Sequence, residues 1–136
     1  MEKIIEILIK NKWNKYEDTN TKIIEKNNSV KELPNDYLQF IEMGYAGEGY
    51  IGKNYLYLWK IEHLEQLNKD YNIQKYLGIN CYGFGTDGGD KCYCFDNKNG
   101  KQIIKCNLGD LDYKDTKIMA NTFYEFIVKL NNEMLE

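Results

Sequence analysis

Residues 83–100, Gly-Phe-Gly-Thr-Asp-Gly-Gly-Asp-Lys-Cys-Tyr-Cys-Phe-Asp-Asn-Lys-Asn-Gly, constrain the fold of this chain more than any other stretch. Short aromatic runs flank a turn rich in Gly85, Asp87, Gly88, Gly89 and Asp90, and a second turn follows at 96–100. Glycine reaches positive φ without a Cβ clash, and Asp and Asn close turns with their own side chains. Two connections of hairpin length in succession predict an antiparallel β-meander.

The rest of the chain supplies layers for that meander. Ile4, Ile5, Leu8 and Ile9 recur at helical spacing over 2–13, with Ile7 widening the stripe. Residues 14–22 are polar and read as a loop or weak helical turn, and Ile23 and Ile24 begin a short helix. The only proline, Pro34, sits at a helix start whose buried stripe is Tyr37, Leu38, Phe40 and Ile41, with Gly44 as its C-terminal stop. A short strand is expected around Tyr50-Ile51 and a strong one over Tyr55–Trp59, then a helix over 60–72. Strands near 79–84, 91–95 and 102–106 follow. An acidic connection over 107–117 leads to a last helix, about 117–134, with Met119, Phe123, Phe126, Ile127, Leu130 and Met134 on one face. The fold class is therefore α+β: a mostly antiparallel sheet with N-terminal helices, one inserted helix and a C-terminal helix packed on it. At 136 residues a single domain spanning 1–136 is expected.

Charge narrows the partners. All 18 basic residues are lysines, so the guanidinium fork that suits phosphates and base edges is absent. Residues 1–31 carry +2 and residues 32–136 carry −5. An acidic, arginine-free body argues against nucleic-acid binding and suits a basic protein partner. No apolar run approaches the ~20 residues of a membrane span, and the charged start does not read as a signal peptide, so a cytoplasmic protein with no membrane partner is expected.

Candidate chemistries are few. Cys81, Cys92, Cys94 and Cys106 form C-x10-C-x-C-x11-C without a CxxC knuckle. Pairing Phe95 with Lys101 and Phe84 with Lys91 puts Cys94 opposite Gln102 and Cys81 opposite Cys94. All four thiols then share one sheet face, with Tyr82, Phe84, Tyr93, Phe95 and Ile103 on the other. They are expected to pack as small apolar residues, with no metal and no cofactor. The 96–100 turn lacks the alternating carboxylates and the twelfth-position Glu of a calcium loop. His63 and Ser29 are the only histidine and serine, and no nucleophile motif surrounds either. No enzyme is expected, and no catalytic residue. The strand Tyr55-Leu56-Tyr57-Leu58-Trp59 is apolar on both faces; the outer face is either covered by a helix or an aromatic interaction patch.

Four segments in order resemble the SUKH superfamily, which includes bacterial immunity proteins and a yeast regulator of cell-wall synthesis. They are Leu33-Pro34-Asn35-Asp36-Tyr37, Tyr57-Leu58-Trp59 running into a helix, Gly83–Asp90 with Tyr93-Cys94-Phe95-Asp96, and Ile118–Phe126. The resemblance covers about residues 20–134. The chain departs from it at Met43–Gly47, where relatives usually carry Asn-Gly-Gly. The resemblance implies a non-catalytic bacterial protein that binds and neutralises a cognate toxin, nuclease- or deaminase-type, or else a general interaction or regulatory scaffold. Glu48, Tyr50, Asp87, Asp90, Asp110 and Asp112 are the expected partner contacts, on a monomer or weak dimer.

Overall fold

A computed structural model describes residues 1–98 and 100–133. Helix α1, Glu2–Lys10, buries Ile4, Ile7 and Leu8. It stops where Lys12 takes a left-handed φ of 56°, which turns Trp13 into the core. The Trp13 indole donates to the Tyr45 carbonyl at 2.8 Å. Strand β1, Asn14–Lys15, replaces the expected loop and pairs with Gly47 and Glu48. Its two side chains are polar and exposed, so the strand is made by its partner: a Cβ on Gly47 would lie 2.2 Å from the Asn14 carbonyl oxygen. Two single-turn helices follow, α2 at Ile23–Lys26 and α3 at Asn28–Lys31, the second capped by Asn27 accepting from the Val30 N–H at 3.1 Å. Helix α4, Asn35–Glu42, starts directly after Pro34 and buries the four residues of its expected stripe.

The remaining strands are β2 (Gly47–Ile51), β3 (Asn54–Leu58), β4 (Cys81–Thr86), β5 (Lys91–Asp96), β6 (Gln102–Asn107) and β7 (Lys117–Ala120). They form one antiparallel sheet in strict chain order, β1 to β7. Between β3 and β4 the helix expected over 60–72 is a 3-10 turn at Ile61–His63 followed by α5, Leu64–Asp70, and a further helix, α6, Ile73–Leu77, comes after it. Asn72, at φ 56°, separates them. Strand β7 occupies the start of the expected last helix, so Met119 is buried from a strand rather than a helix. Helix α7, Phe123–Asn132, begins only where the Thr122 hydroxyl accepts from the Glu125 N–H at 3.0 Å. Met134 lies outside the described residues.

The two sheet faces bury different chemistry. Phe84, Tyr93 and Phe95 meet Tyr37, Phe123 and Phe126 from α4 and α7, with Phe84 stacked on Phe95 at 4.2 Å between centroids. The opposite face carries Cys92, Cys94 and Cys106, with Trp59 near Cys92 and α5 and α6 packed along β4. The β5–β6 register differs from expectation by a two-residue slip: Cys94 faces Ile104 and Cys92 faces Cys106. A slip of two keeps every side chain on its face. The β4–β5 turn closes three residues off the expected register, with Thr86 facing Cys92, and a bulge between Gly83 and Gly85 takes one back, so Cys81 faces Asp96 rather than Cys94. Among the described residues no helix is long and apolar enough to cross a membrane.

Candidate partner-binding surface

Two hairpin tips meet at one end of the sheet. The β4–β5 turn is closed by Asp87, whose Oδ1 accepts from the N–H groups of Gly89 (2.9 Å) and Lys91 (3.3 Å). Gly88, at φ +86°, presses on the neighbouring hairpin: a Cβ there would sit 2.9 Å from the Tyr55 ring. Asp87 thus lines a depression of about 310 Å³ with Tyr50, Lys53, Tyr55 and Lys91. The glycine-aspartate segment is a turn that delivers one carboxylate to this rim.

Strand alternation builds the aromatic part. Leu56 and Leu58 point inward and are fully buried, while Tyr57 is 40% exposed. Tyr50 lies across from Tyr55, and Glu48 across from Tyr57. Tyr50 is 60% exposed and meets Tyr55 edge-on at 5.1 Å, and the Tyr55 hydroxyl donates to Glu48 at 2.6 Å. On the outer face of the aromatic strand, Tyr57 is left uncovered while Trp59 is buried and stacked on Tyr71. Tyr16 adjoins this strand, its hydroxyl donating to the Leu58 carbonyl at 2.6 Å.

The other expected contacts divide. Asp90 is exposed, and its carbonyl accepts from the Leu108 N–H at 2.9 Å, tying the hairpin tip to the loop after β6. Asp110, on that loop, lines a second depression with Asp70, Tyr71, Tyr76 and Leu111. Asp112 belongs to neither; its Oδ1 accepts from the Lys114 N–H at 3.0 Å and caps a 3-10 turn. Glu48, Tyr50 and Asp87 are therefore brought together, Asp90 joins them to Asp110, and Asp112 is a turn residue. That Asp70, Tyr71 and Tyr76 adjoin Asp110 was not legible, because a helix pattern shows a solvent face without showing what lies beside it.

Groups with chemical potential lie elsewhere. All four cysteines are buried and free. Hydrogen bonds from the Cys92 and Cys94 thiols hold Cys106 well below the usual thiol range, and their contacts with Cys106 push Cys92 and Cys94 up. His63 is exposed at the end of its 3-10 turn. Asp96, 1% exposed, accepts from the Tyr113 hydroxyl (2.6 Å) and the Lys98 N–H (2.9 Å), so it stabilises its turn.

The tyrosines have a consequence for alkaline stability. Burial pushes Tyr82 and Tyr93 up to about 12, and hydrogen bonds to Glu48 and Asp96 push Tyr55 and Tyr113 up to about 12. A tyrosine in the unfolded chain ionises near ~10. Stability held by these protonated phenols is thus fully present below about pH 10 and is lost between about pH 10 and 12. In a spectrophotometric titration, tyrosinate absorbance should climb together with loss of circular dichroism. Complete ionisation of the 12 tyrosines while the fold stays intact would contradict this.

A sequential antiparallel sheet with helices on both faces defines an α+β protein. The chain belongs to the SMI1/KNR4 family (SUKH-1), whose family model matches residues 11–129, from the end of α1 into α7. The match includes β1, which the resemblance over 20–134 did not reach. The family is consistent with a non-catalytic immunity or regulatory module. No curated protein matches the chain.

Proposed function

We propose that this chain is a non-catalytic binding protein, a bacterial immunity protein that neutralises a cognate nuclease- or deaminase-type toxin in the cytoplasm, acting as a monomer or weak dimer. The observation that carries the reading is the column of exposed tyrosines, Tyr50 and Tyr57, in register with Glu48 and bordered by Asp87. Rigid aromatic anchors contribute large contact area at low entropic cost, and tyrosine is enriched where partners bind tightly. The carboxylates Glu48, Asp87, Asp90 and Asp110 complement the basic cleft with which such a toxin holds nucleic acid. The blocking mechanism is occlusion: the tyrosine face covers the cleft, and charge speeds encounter.

The test is co-purification with the toxin encoded beside this chain, followed by binding kinetics. Tyr50→Ala should weaken the complex by about 2 kcal/mol, roughly 30-fold, through faster dissociation. The pair Asp90→Lys and Asp110→Lys should slow association and flatten its salt dependence. Equal binding by all variants with unchanged folding would remove this surface from the interface. Similar capture of many proteins, with no tight partner, would favour a regulatory scaffold.

A further inference from the structure

Cys92 and Cys94 are two residues apart on β5 and so point to the same side, and Cys106 stands opposite Cys92 on β6. The three sulfurs lie within 4.8 Å of one another, Cys92 to Cys94 at 4.0 Å and Cys94 to Cys106 at 3.9 Å. Cys81 stands apart, its thiol donating to the Leu77 carbonyl at 3.8 Å. We propose that Cys92, Cys94 and Cys106 form a three-coordinate site for copper(I).

Geometry selects the ion. With metal–thiolate bonds of about 2.3 Å, three sulfurs in a plane around an ion stand about 4.0 Å apart, and three corners of a tetrahedron about 3.8 Å. The Cys92–Cys94 and Cys94–Cys106 separations, 4.0 and 3.9 Å, fit the planar arrangement at least as well, and the third lies within 4.8 Å. Among the described residues no fourth His, Cys, Asp or Glu joins the trio, as a closed zinc site would require. Soft thiolates favour copper(I), a d10 ion that accepts three ligands. The ligands sit on adjacent paired strands, so the set is pre-organised.

Binding forms three Cu–S bonds, releases to solvent whatever protons the three thiols still hold and transfers no electron, leaving a complex of net charge −2. This departs from the expectation that the thiols only pack.

The full chain, reduced anaerobically with ascorbate, is titrated with copper(I) against a chromogenic copper(I) chelator. One copper per chain should be retained, with a thiolate-to-copper absorption band. Cys94→Ser should weaken retention by more than about 100-fold, since even outer-shell partners of metal sites cost 10–100-fold, and Cys81→Ser should leave it unchanged. Should Cys94→Ser fail to fold, X-ray absorption of the wild-type complex decides: three sulfur neighbours at about 2.3 Å support the site. Fewer sulfurs, no retained copper, or equal retention by a foldable Cys94→Ser chain would overturn it.

Discussion

Phe84→Ala should destabilise the protein by about 3–5 kcal/mol, the range for deleting a fully buried phenylalanine. The ring is 0% exposed, stacks on Phe95 at 4.2 Å, and takes Tyr37 and Phe126 against it at 5.8 Å each. These partners come from three different elements, α4, β5 and α7, so a collapse that fills the cavity for one moves the others away. The loss is large against the ~5–15 kcal/mol that typically holds a domain together. Urea unfolding measures it: the midpoint should fall sharply with an unchanged slope. Phe84→Leu should recover part of the loss. A change below about 1 kcal/mol for the alanine chain would mean that the aromatic layer rearranges freely and is not the close-packed centre described above.

The second large effect is expected at a polar residue. Asn68, 2% exposed on α5, has its Oδ1 accepting from the Gly83 N–H at 2.7 Å. Its Nδ2 donates to the carbonyls of Gly83 and Leu64, both at 2.9 Å. One amide thus satisfies both backbone groups of Gly83, beside the β4 bulge, where the ladder to β3 does not reach. An orphaned buried donor or acceptor costs about 1–3 kcal/mol, so Asn68→Ala should cost about 3 kcal/mol with both groups released. Gly83 amide exchange should accelerate in step. Asn68→Asp separates the two halves of the interaction: its carboxylate still accepts from the Gly83 N–H but faces two carbonyls, so it should destabilise at neutral pH and recover on acidification as the carboxyl protonates. An Ala variant within about 0.5 kcal/mol of wild type would show that the bulge holds without the amide.

The parts of the fold that can be read along the chain are those whose causes are local. Pro34 starts α4, Gly44 at φ +82° ends it, and the Gly-Asp turn joins β4 to β5. The parts that escape reading have causes elsewhere. Asn14 and Lys15 are strand residues because Gly47, far along the chain, leaves room for their backbone. Lys117–Ala120 hides in a helical pattern because Met119 and Phe123 are four apart, the spacing of a helix face, and only the Thr122 cap separates strand from helix. Gly83, beside the β4 bulge, finds its hydrogen-bond partners on Asn68 in another element. The site follows the same rule. Glu48 and Tyr50 come together by strand alternation, which is local, and Asp87 by a turn. Asp110 meets Tyr71 and Tyr76 only through packing of α5 and α6 beside the loop after β6, and the capping role of Asp112 shows only in the turn it closes.

The strict chain order of the sheet also sets how entropy is distributed over its assembly. Each pairing from β4 through β6 closes only a tight turn, and the cost of closing a loop grows with its length. Strands β3 and β4 must meet across α5 and α6, and β1 must find β2 across α2, α3 and α4. The centre of the meander, where the aromatic layer is thickest, is therefore the least costly region to nucleate, and the first strand, held by two residues and one glycine, is the costliest to place.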